Sequence, residues 1–408
     1  MTVVSTIIVC VFALLPWCIF GRDWMEIWST HVDHCSMVAC DFQRHYLPQV
    51  HMVANQDWRI QPGWYYPPIV AMLLLPFAWI SNPVVVWMGC NLLLVLVAAM
   101  VVARIHIVSI YKRPTELWQV LFALALMSTS FPILHSLKWG QISIAIVLLS
   151  TWSLLQNKEG QTPRSVVAAI VFGLAISLKW YPVVYLCIPV VEKRWKWIRM
   201  VFLSVVVWSV CIPWFYVGQH TWWYMENSLA AGVEIQGVAS FGGGQSIIAS
   251  ATRWFVNGSH VGITSSVGKY IEPVIFVSDI GYFVTIAVYA IFSIWVMLWK
   301  YKHKEQPIQL ILVMLLSQLW LSPGWHHYFA FFPLAMFWLW KGIDRDKGTY
   351  IWSLISIGLC FLVERIPMLV LCYSRDDSGY EWYSQLGMTT LLTTMLVMVA
   401  TIGTTDIE

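Results

Sequence analysis

The sequence is short of charged residues. Asp, Glu, Lys and Arg make up 11% of its 408 residues, whereas a soluble domain typically has about 25%. Hydrophobic residue types account for 59%. This composition excludes an ordinary soluble domain and predicts an all-α polytopic membrane protein.

Several catalytic signatures are also missing. The sequence contains no Walker A motif, no H-E-x-x-H, no G-x-G-x-x-G and no Ser-His-Asp order, so nothing favours an NTPase or a protease. It has no heptads, internal repeats or low-complexity tracts. The net charge is only +3 and is explained by membrane topology, so no nucleic-acid partner is expected.

Long apolar runs dominate what is present. We count thirteen: 4–20, 68–80, 83–108, 118–135, 141–156, 165–178, 182–191, 200–218, 274–299, 308–322, 326–340, 350–371 and 384–403. Several are shorter than the roughly 20 residues that a spanning helix needs, so about twelve transmembrane helices are expected. Segment 68–80, broken by Pro76, is expected to be re-entrant or to share one membrane crossing with a neighbouring segment. Segment 4–20 is expected to be a retained first helix rather than a cleaved signal peptide.

Basic residues indicate the orientation of these helices. Fifteen of the 24 Lys and Arg residues lie in five short connections, near 104–113, 158–164, 193–199, 300–304 and 341–347. The positive-inside rule makes these connections cytoplasmic. Two long polar loops, about 21–66 and 219–272, then face the extracytoplasmic side of a multi-pass cell-membrane protein. Cys35 and Cys40 lie in the first loop and could form a disulfide there if that compartment is oxidising.

Asp41 is the leading candidate for chemistry. It precedes Phe42, Tyr46 and Val50, whose spacing predicts one face of a helix lying on the membrane, interrupted near Pro48. Asp41 could serve as a helix N-cap, or as a general base that takes a proton from a sugar or lipid hydroxyl. Several His, Asp and Cys residues surround it, but their spacing matches no strong metal-site pattern, so no metal is expected.

Polar residues elsewhere on the predicted outer side suggest an anion site. Gly242–Ser246 opens an amphipathic stretch, with Arg253 about two turns on. A helix starting at Gln245 or Ser246 would aim its positive end at an anion, although a flexible glycine turn explains the same residues. Lys179 is preferred over Lys138 for neutralising a phosphate, because Lys138 could simply extend to the lipid headgroups. His326 and His327 could donate to a phosphate or move a proton, or bind headgroups.

Six short motifs occur in the order typical of one family. They are Asp41-Phe42 with His45-Tyr46, Tyr66-Pro67-Pro68, Gly140-Gln141, Lys179-Trp180-Tyr181-Pro182, Gly244-Gln245-Ser246-Ile247, and Ser322-Pro323 through His326-His327. Together they resemble glycosyltransferase family 87, over about residues 4–340. Gly244 stands where Asn is usual and Ser143 where Asn often follows Gly-Gln, which leaves the identity of the sugar open.

The resemblance implies a single GT-C membrane domain over residues 1–408, with extracytoplasmic interfacial helices. It also implies that Asp41 is the catalytic base and that His326 or His327 is the active-site histidine. Contacts to the donor phosphate or substrate are expected from the residues Lys179, Gln245, Ser246, Arg253, Tyr66, Gln141 and Tyr46.

The expected reaction is inverting transfer of a mannose-like hexosyl or pentosyl unit. The donor would be a polyprenyl-phosphate sugar and the acceptor a lipid or glycan, with no cofactor and no divalent metal. Membrane lipids and these two substrates are the expected partners. A lipid-linked glycan ligase or polymerase of similar architecture, and a lipid-linked-sugar flippase, are the alternatives.

Overall fold

Helices account for all the regular structure that is described. In the computed structural model, the described residues are 38–61, 64, 66–111, 130–156, 163–237, 246–256 and 277–300, with scattered positions between 120 and 128 and between 313 and 333. Within these residues every regular element is helical, so the all-α prediction is confirmed for them.

Twelve α-helices lie in the described ranges: α1 Leu47–Ala54, α2 Pro68–Leu74, α3 Pro83–Tyr111, α4 Phe131–Trp139, α5 Ser143–Gln156, α6 Pro163–Leu178, α7 Cys187–Val191, α8 Trp195–Val206, α9 Ile212–Val217, α10 His220–Gly237, α11 Ile247–Phe255 and α12 Asp279–Lys300. Two 3₁₀ segments, Leu75–Trp79 and Tyr181–Leu186, follow α2 and precede α7. Two π-helical turns, Phe42–Tyr46 and Val207–Cys211, precede α1 and α9.

Prolines explain the irregular turns. A proline within a helix cannot donate to the carbonyl four residues back, and its ring collides with that carbonyl. Ahead of Pro48 the chain widens, and the Leu47 N–H donates to the Phe42 carbonyl five residues back. The same five-residue step joins Ile212 to Val207 ahead of Pro213. In both places the helix continues past the proline, so the interruption predicted near Pro48 is a widened turn.

The segment that was expected to be broken at Pro76 does break there. Helix α2 ends at Leu74, and a tighter 3₁₀ segment begins at Leu75 with Pro76 in its first turn. The 3₁₀ segment ends before Ile80, which is extended. The predicted break is therefore confirmed.

The described residues fall into two compact units. One takes in those between 35 and 101 and between 135 and 234, and the others form the second. The single domain over 1–408 remains a prediction.

Three helices form the packed centre of the first unit, with α6 contacting both α5 and α8. Small residues let α6 and α8 approach closely: a Cβ on Gly173 would lie 2.4 Å from the Ser204 Oγ. That hydroxyl donates to the Ile170 carbonyl at 2.9 Å, and the Ser209 hydroxyl donates to the Ser177 hydroxyl at 2.8 Å. Small residues and interhelical hydrogen bonds are typical of helix packing in membranes.

In the second unit, α11 packs against α12. A Cβ on Gly281 would lie 2.7 Å from the Phe255 ring, so the absence of a side chain admits the aromatic ring. The observed α11 matches the amphipathic stretch predicted at 247–255.

Large apolar side chains face outward on several helices. On α12, Ile280 is 78% exposed and Leu298 is 76% exposed, and on α9 Phe215 is 90% exposed. Soluble monomers rarely expose continuous apolar surface on this scale. By length and composition, Pro83–Val101 and Trp195–Val217 could cross a membrane, and five shorter apolar helices accompany them in the described residues. The estimate of about twelve spans remains a prediction.

One expectation about the first outer loop is wrong. Phe42, Tyr46 and Val50 were predicted to lie on the membrane, but all three are completely buried within the protein. The Phe42 ring stacks on Trp87 at 4.8 Å between centroids and meets Phe77 edge-on at 5.4 Å. The apolar face thus packs against other parts of its own unit instead of against lipid.

Candidate active site

Asp41 lies inside the helical segment, directly before the Phe42–Tyr46 turn. Its φ and ψ are −65° and −35°, and its side chain makes no capping hydrogen bond, so the N-cap interpretation is wrong. The Oδ2 atom accepts a hydrogen bond from the Gln141 Nε2. The Oδ1 atom accepts none from the residues the structure describes. The half-buried carboxylate therefore has one oxygen held by the protein and one available to another group.

Gln141 is the centre of the candidate site. Its Oε1 accepts hydrogen bonds from the Tyr46 hydroxyl at 3.2 Å and the Tyr66 hydroxyl at 3.1 Å. The Lys179 Nζ lies at 3.5 Å from the same oxygen. A single buried amide thus connects Asp41 to nearby Tyr46 and to Tyr66 and Lys179, which are distant in sequence.

The end of α4 fixes the position of Gln141. The N–H of Gln141 donates to the Ser136 carbonyl and the N–H of Gly140 donates to the Leu137 carbonyl, the pair of bonds that defines a Schellman motif. Gly140 occupies its left-handed position, with a φ of +67°. The same glycine touches Ala39 and Phe42 on either side of Asp41: a Cβ there would lie 2.8 Å from the Ala39 Cβ and 3.0 Å from the Phe42 Cβ.

Lys179 follows the last residue of α6, where the chain turns into the Tyr181–Leu186 segment. Its Nζ lies 5.3 Å from the centre of the Tyr66 ring, within the range of a cation–π interaction. Burial lowers the pKa of the Lys179 amine to about 7, although the Asp41 charge acts in the opposite direction. The amine can therefore change its charge near neutral pH.

Aromatic rings line one side of the cluster. Tyr46 meets Tyr66 edge-on at 4.8 Å and Trp64 at 5.9 Å between centroids. The Trp87 indole N–H donates to the Gly140 carbonyl at 2.9 Å, which connects the rings to the Gln141 turn. All four of these side chains are buried, so the hydroxyls of Tyr46 and Tyr66 are held in place.

The electrostatic surroundings of Asp41 favour a basic carboxylate. Burial raises its pKa above the usual value, while His45, Lys179, His135 and the Gln141 hydrogen bond partly counteract this effect. No catalytic role was predicted for His45 or His135. His45 follows Asp41 by four residues, a spacing that could have indicated it. His135 had no comparable signal.

A second polar cluster holds the chain that leads to Tyr66. The buried Gln49 donates through Nε2 to the Tyr224 hydroxyl at 2.6 Å and to the Arg59 carbonyl at 3.0 Å. Its Oε1 accepts from the Gln61 N–H at 2.6 Å, and Asn227 donates to the Trp64 carbonyl at 2.6 Å. Segment 49–64 is thereby attached to α10, which forms the start of the predicted second outer loop.

The structure brings together five of the predicted site residues: Asp41, Tyr46, Tyr66, Gln141 and Lys179. Ser246 is buried directly before α11 in the other unit, and Arg253 lies on that helix. Gln245, His326 and His327 lie outside the described residues. Lys138 is 4% exposed, so it does not extend to the headgroups as the sequence had allowed.

The cluster is suited to moving a proton next to an anion. A carboxylate with an open oxygen can accept a proton from a hydroxyl, and a buried cation close by can stabilise negative charge. Within the described ranges, no three His, Cys, Asp or Glu side chains converge as metal ligands.

Comparison with known proteins identifies the family. The family model described as "Glycosyltransferase family 87" matches residues 64–323, which is more than half of the chain. Tyr66, Gln141 and Lys179 lie within the match, whereas Asp41 and Tyr46 precede it. No curated protein and no solved structure matches the chain. The family match confirms the resemblance seen in the motifs: the chain belongs to glycosyltransferase family 87 and is a membrane-associated glycosyltransferase.

Proposed function

We propose that this glycosyltransferase uses a polyprenyl-phosphate sugar and transfers a mannose-like hexosyl or pentosyl unit, with inversion, to a lipid or glycan acceptor on the extracytoplasmic face. One observation carries the proposal: a half-buried carboxylate, Asp41, has one oxygen held by Gln141 and the other open, next to the buried amine of Lys179.

Asp41 acts as the general base in this reaction. Its open Oδ1 takes the proton of the acceptor hydroxyl while that oxygen forms a bond to the anomeric carbon. The bond from the anomeric carbon to the phosphate oxygen breaks, and its electron pair leaves with polyprenyl phosphate. Burial raises the pKa of Asp41, which makes it a stronger base than an exposed aspartate.

Lys179 is the cation for the donor phosphate. Its amine lies beside Tyr66 and Gln141 in a partly buried site, where a charge stabilises an anion more than it does in bulk water. His326 or His327 and the Gln245, Ser246 and Arg253 group are further candidates for phosphate contacts and remain predictions. Because Lys179 and a histidine would balance the charge of the leaving polyprenyl phosphate, the proposed mechanism does not require a divalent ion.

Two features support the extracytoplasmic orientation. Cys40, which directly precedes Asp41, is disulfide-bonded, and structural disulfides persist in oxidising compartments. The connections rich in Lys and Arg lie in other parts of the sequence, as the positive-inside rule requires if segment 38–66 is outside. The outward-facing apolar helices offer a surface along which a polyprenyl tail can lie.

The test is release of polyprenyl phosphate by the purified protein. The protein is incubated with a panel of polyprenyl-phosphate sugars and a membrane-lipid acceptor extract, with and without EDTA. Asp41→Asn is expected to reduce turnover by roughly 10²–10⁴-fold and to leave donor binding intact. Asp57→Asn is the matched control, because Asp57 lies in the same segment but pairs with the exposed Arg59; it is expected to retain turnover.

Near-native turnover by Asp41→Asn would exclude Asp41 as the base. Loss of activity in EDTA that added metal restores would exclude the metal-independent mechanism. Absence of release with every donor, by a protein that unfolds cooperatively, would favour a lipid-linked glycan ligase over the proposed donor class.

A further inference from the structure

The resemblance assigned Gln141 to substrate contact, but its surroundings indicate a different role. We propose that Gln141 is a positioning residue that separates the base from the phosphate cation: its amide bridges Asp41 and Lys179, holds both in place and prevents them from pairing directly. The inference rests on the proposed function, since it assumes that Asp41 is the base.

The hydrogen-bond partners of Gln141 determine which way its amide points. Three donors face its Oε1, from Tyr46, Tyr66 and Lys179. A carboxylate oxygen faces its Nε2. The reversed amide would place an NH₂ group against three donors and a carbonyl against a carboxylate, so only the observed orientation satisfies every partner.

Little of Gln141 remains for a substrate. The residue is 2% exposed, and a carbonyl oxygen has two lone pairs, which three donors already share. A donor sugar or phosphate would have to displace one of these protein groups to contact the oxygen. The contacts of Gln141 therefore serve the protein's own charged groups.

The two ends of the amide match the two charges that they face. The positive NH₂ end points at the carboxylate and the negative oxygen end points at the ammonium group. Each charge is thus stabilised without the two meeting, and Asp41 keeps Oδ1 open. If Asp41 formed a direct ion pair with Lys179, the carboxylate would be a weaker base and the cation would be less available to a phosphate.

The local backbone keeps this bridge rigid. Gln141 is held by the Schellman motif at the end of α4, and the neighbouring Gly140 packs against Ala39 and Phe42 around Asp41. Both ends of the Asp41–Gln141 hydrogen bond are therefore anchored in one packed contact. Such rigidity is what a positioning role requires, because a displacement of about 1 Å can reduce a rate by about 10²-fold.

Gln141→Leu and Gln141→Glu test the proposal in the polyprenyl-phosphate release assay. Gln141→Leu is expected to lower kcat by roughly 10–100-fold, with the donor KM within about three-fold of wild type. The acidic limb of its kcat/KM profile is expected to move to lower pH, because Asp41 can then pair directly with Lys179, and a cation in contact favours the charged form of the carboxylate. Gln141→Glu is expected to move that limb in the opposite direction, to higher pH, because two adjacent carboxylates disfavour double ionisation.

Gln49→Leu is the matched control. Gln49 is an equally buried amide in the same unit, but its partners are Tyr224, Arg59 and Gln61. It is expected to lower thermal stability and to leave the acidic limb in place. If Gln141→Leu instead raised the donor KM ten-fold or more, with no shift of the acidic limb, Gln141 would be a donor contact and the proposal would be overturned.

A thermal-unfolding cycle tests the bridge independently of catalysis. In wild type, Asp41→Asn and Lys179→Met are expected to be only weakly coupled in their effects on the unfolding temperature, through the Gln141 amide that both groups contact and the charge that each exerts on the other. In a Gln141→Leu background the two changes are expected to become strongly coupled, because the charges can then pair directly. Equal coupling in both backgrounds would overturn the separating role. If Asp41→Asn retains turnover while strong coupling still appears in the Gln141→Leu background, Asp41 is excluded as the base. The role of Gln141 in keeping Asp41 and Lys179 apart is then still supported.

Discussion

Gly140→Ala perturbs the contact on which the active site is built. The substitution places a methyl group 2.8 Å from the Ala39 Cβ and 3.0 Å from both the Ala39 Cα and the Phe42 Cβ. All three atoms belong to Ala39 and Phe42, on either side of Asp41, and Cα and Cβ atoms cannot move aside by a side-chain rotation. The residue must also keep a φ of +67°.

The two costs can be estimated separately. A left-handed conformation costs a non-glycine residue about 1–2 kcal/mol, and forcing an extra methyl group into a packed contact costs about 1–3 kcal/mol. Gly140→Ala should therefore destabilise the protein by about 2–5 kcal/mol. Relief of the clash also moves Asp41 relative to Gln141. At a temperature at which wild type and Gly140→Ala are both folded, turnover of the variant should therefore be at least ten-fold lower.

Substitutions at two other glycines help to separate the conformational cost from the steric cost. Gly218 has a φ of +60° but nothing within 4 Å of the point where a Cβ would lie, and Gly89 lies inside α3 with equally open surroundings. Gly218→Ala should show a conformational cost without a steric one. This cost is at least that of a left-handed residue, because a φ of +60° with a ψ of −135° lies outside the left-handed helical region. Gly89→Ala should stabilise α3 by about 0.5–1 kcal/mol. The assay is thermal unfolding in detergent together with polyprenyl phosphate release. A Gly140→Ala protein destabilised by no more than the conformational cost of about 1–2 kcal/mol, with native turnover, would refute the close contact.

Two further predictions concern charge and the second polar cluster. The kcat/KM profile should rise with pH through the raised pKa of Asp41, which must be deprotonated, and fall above about 7 as Lys179 loses its proton. In Lys179→Arg the alkaline limb should disappear, because arginine remains charged; an unchanged limb would exclude Lys179 as its origin. Tyr224→Phe removes a hydrogen-bond partner of buried Gln49 and should cost about 1–3 kcal/mol of stability, measured by thermal unfolding. Turnover should be retained, and an equal loss of turnover would place Tyr224 in the catalytic cluster.

The sequence identified site residues where a polar side chain with a clear chemical use stands out from its apolar surroundings. Asp41, Lys179 and Gln141 are polar residues at the ends of apolar segments, and the family motifs named all of them. Their convergence could not be predicted, because 100 residues separate Asp41 from Gln141 and no local pattern encodes a contact across that distance. The role of Gln141 as a bridge depends on four partners from three segments and emerges only from their geometry.

The local errors have physical causes. The spacing of Phe42, Tyr46 and Val50 correctly indicated one apolar face, but periodicity cannot distinguish burial against lipid from burial against protein. Asp41 has the residue type of an N-cap, yet the helix already includes it, and its side chain turns to Gln141 instead of its own backbone. Pro48 was expected to interrupt the helix, whereas one wider turn accommodates it.

That wider turn also sets the direction in which the site's side chains point around the helix axis. Val50 follows Phe42 by eight positions. In a regular α-helix, eight steps would leave the Phe42 and Val50 side chains about 80° apart around the axis. A π-helical turn absorbs one residue, so the remaining seven steps return to within about 20° of the starting direction. Phe42 and Val50 consequently share one buried stripe, and on the adjacent stripe Asp41 meets Gln141 while Gln49 meets Tyr224. The number of residues in this short segment is therefore as much a part of the active site as their identity: losing one would swing the carboxylate away from its partner without changing any catalytic side chain.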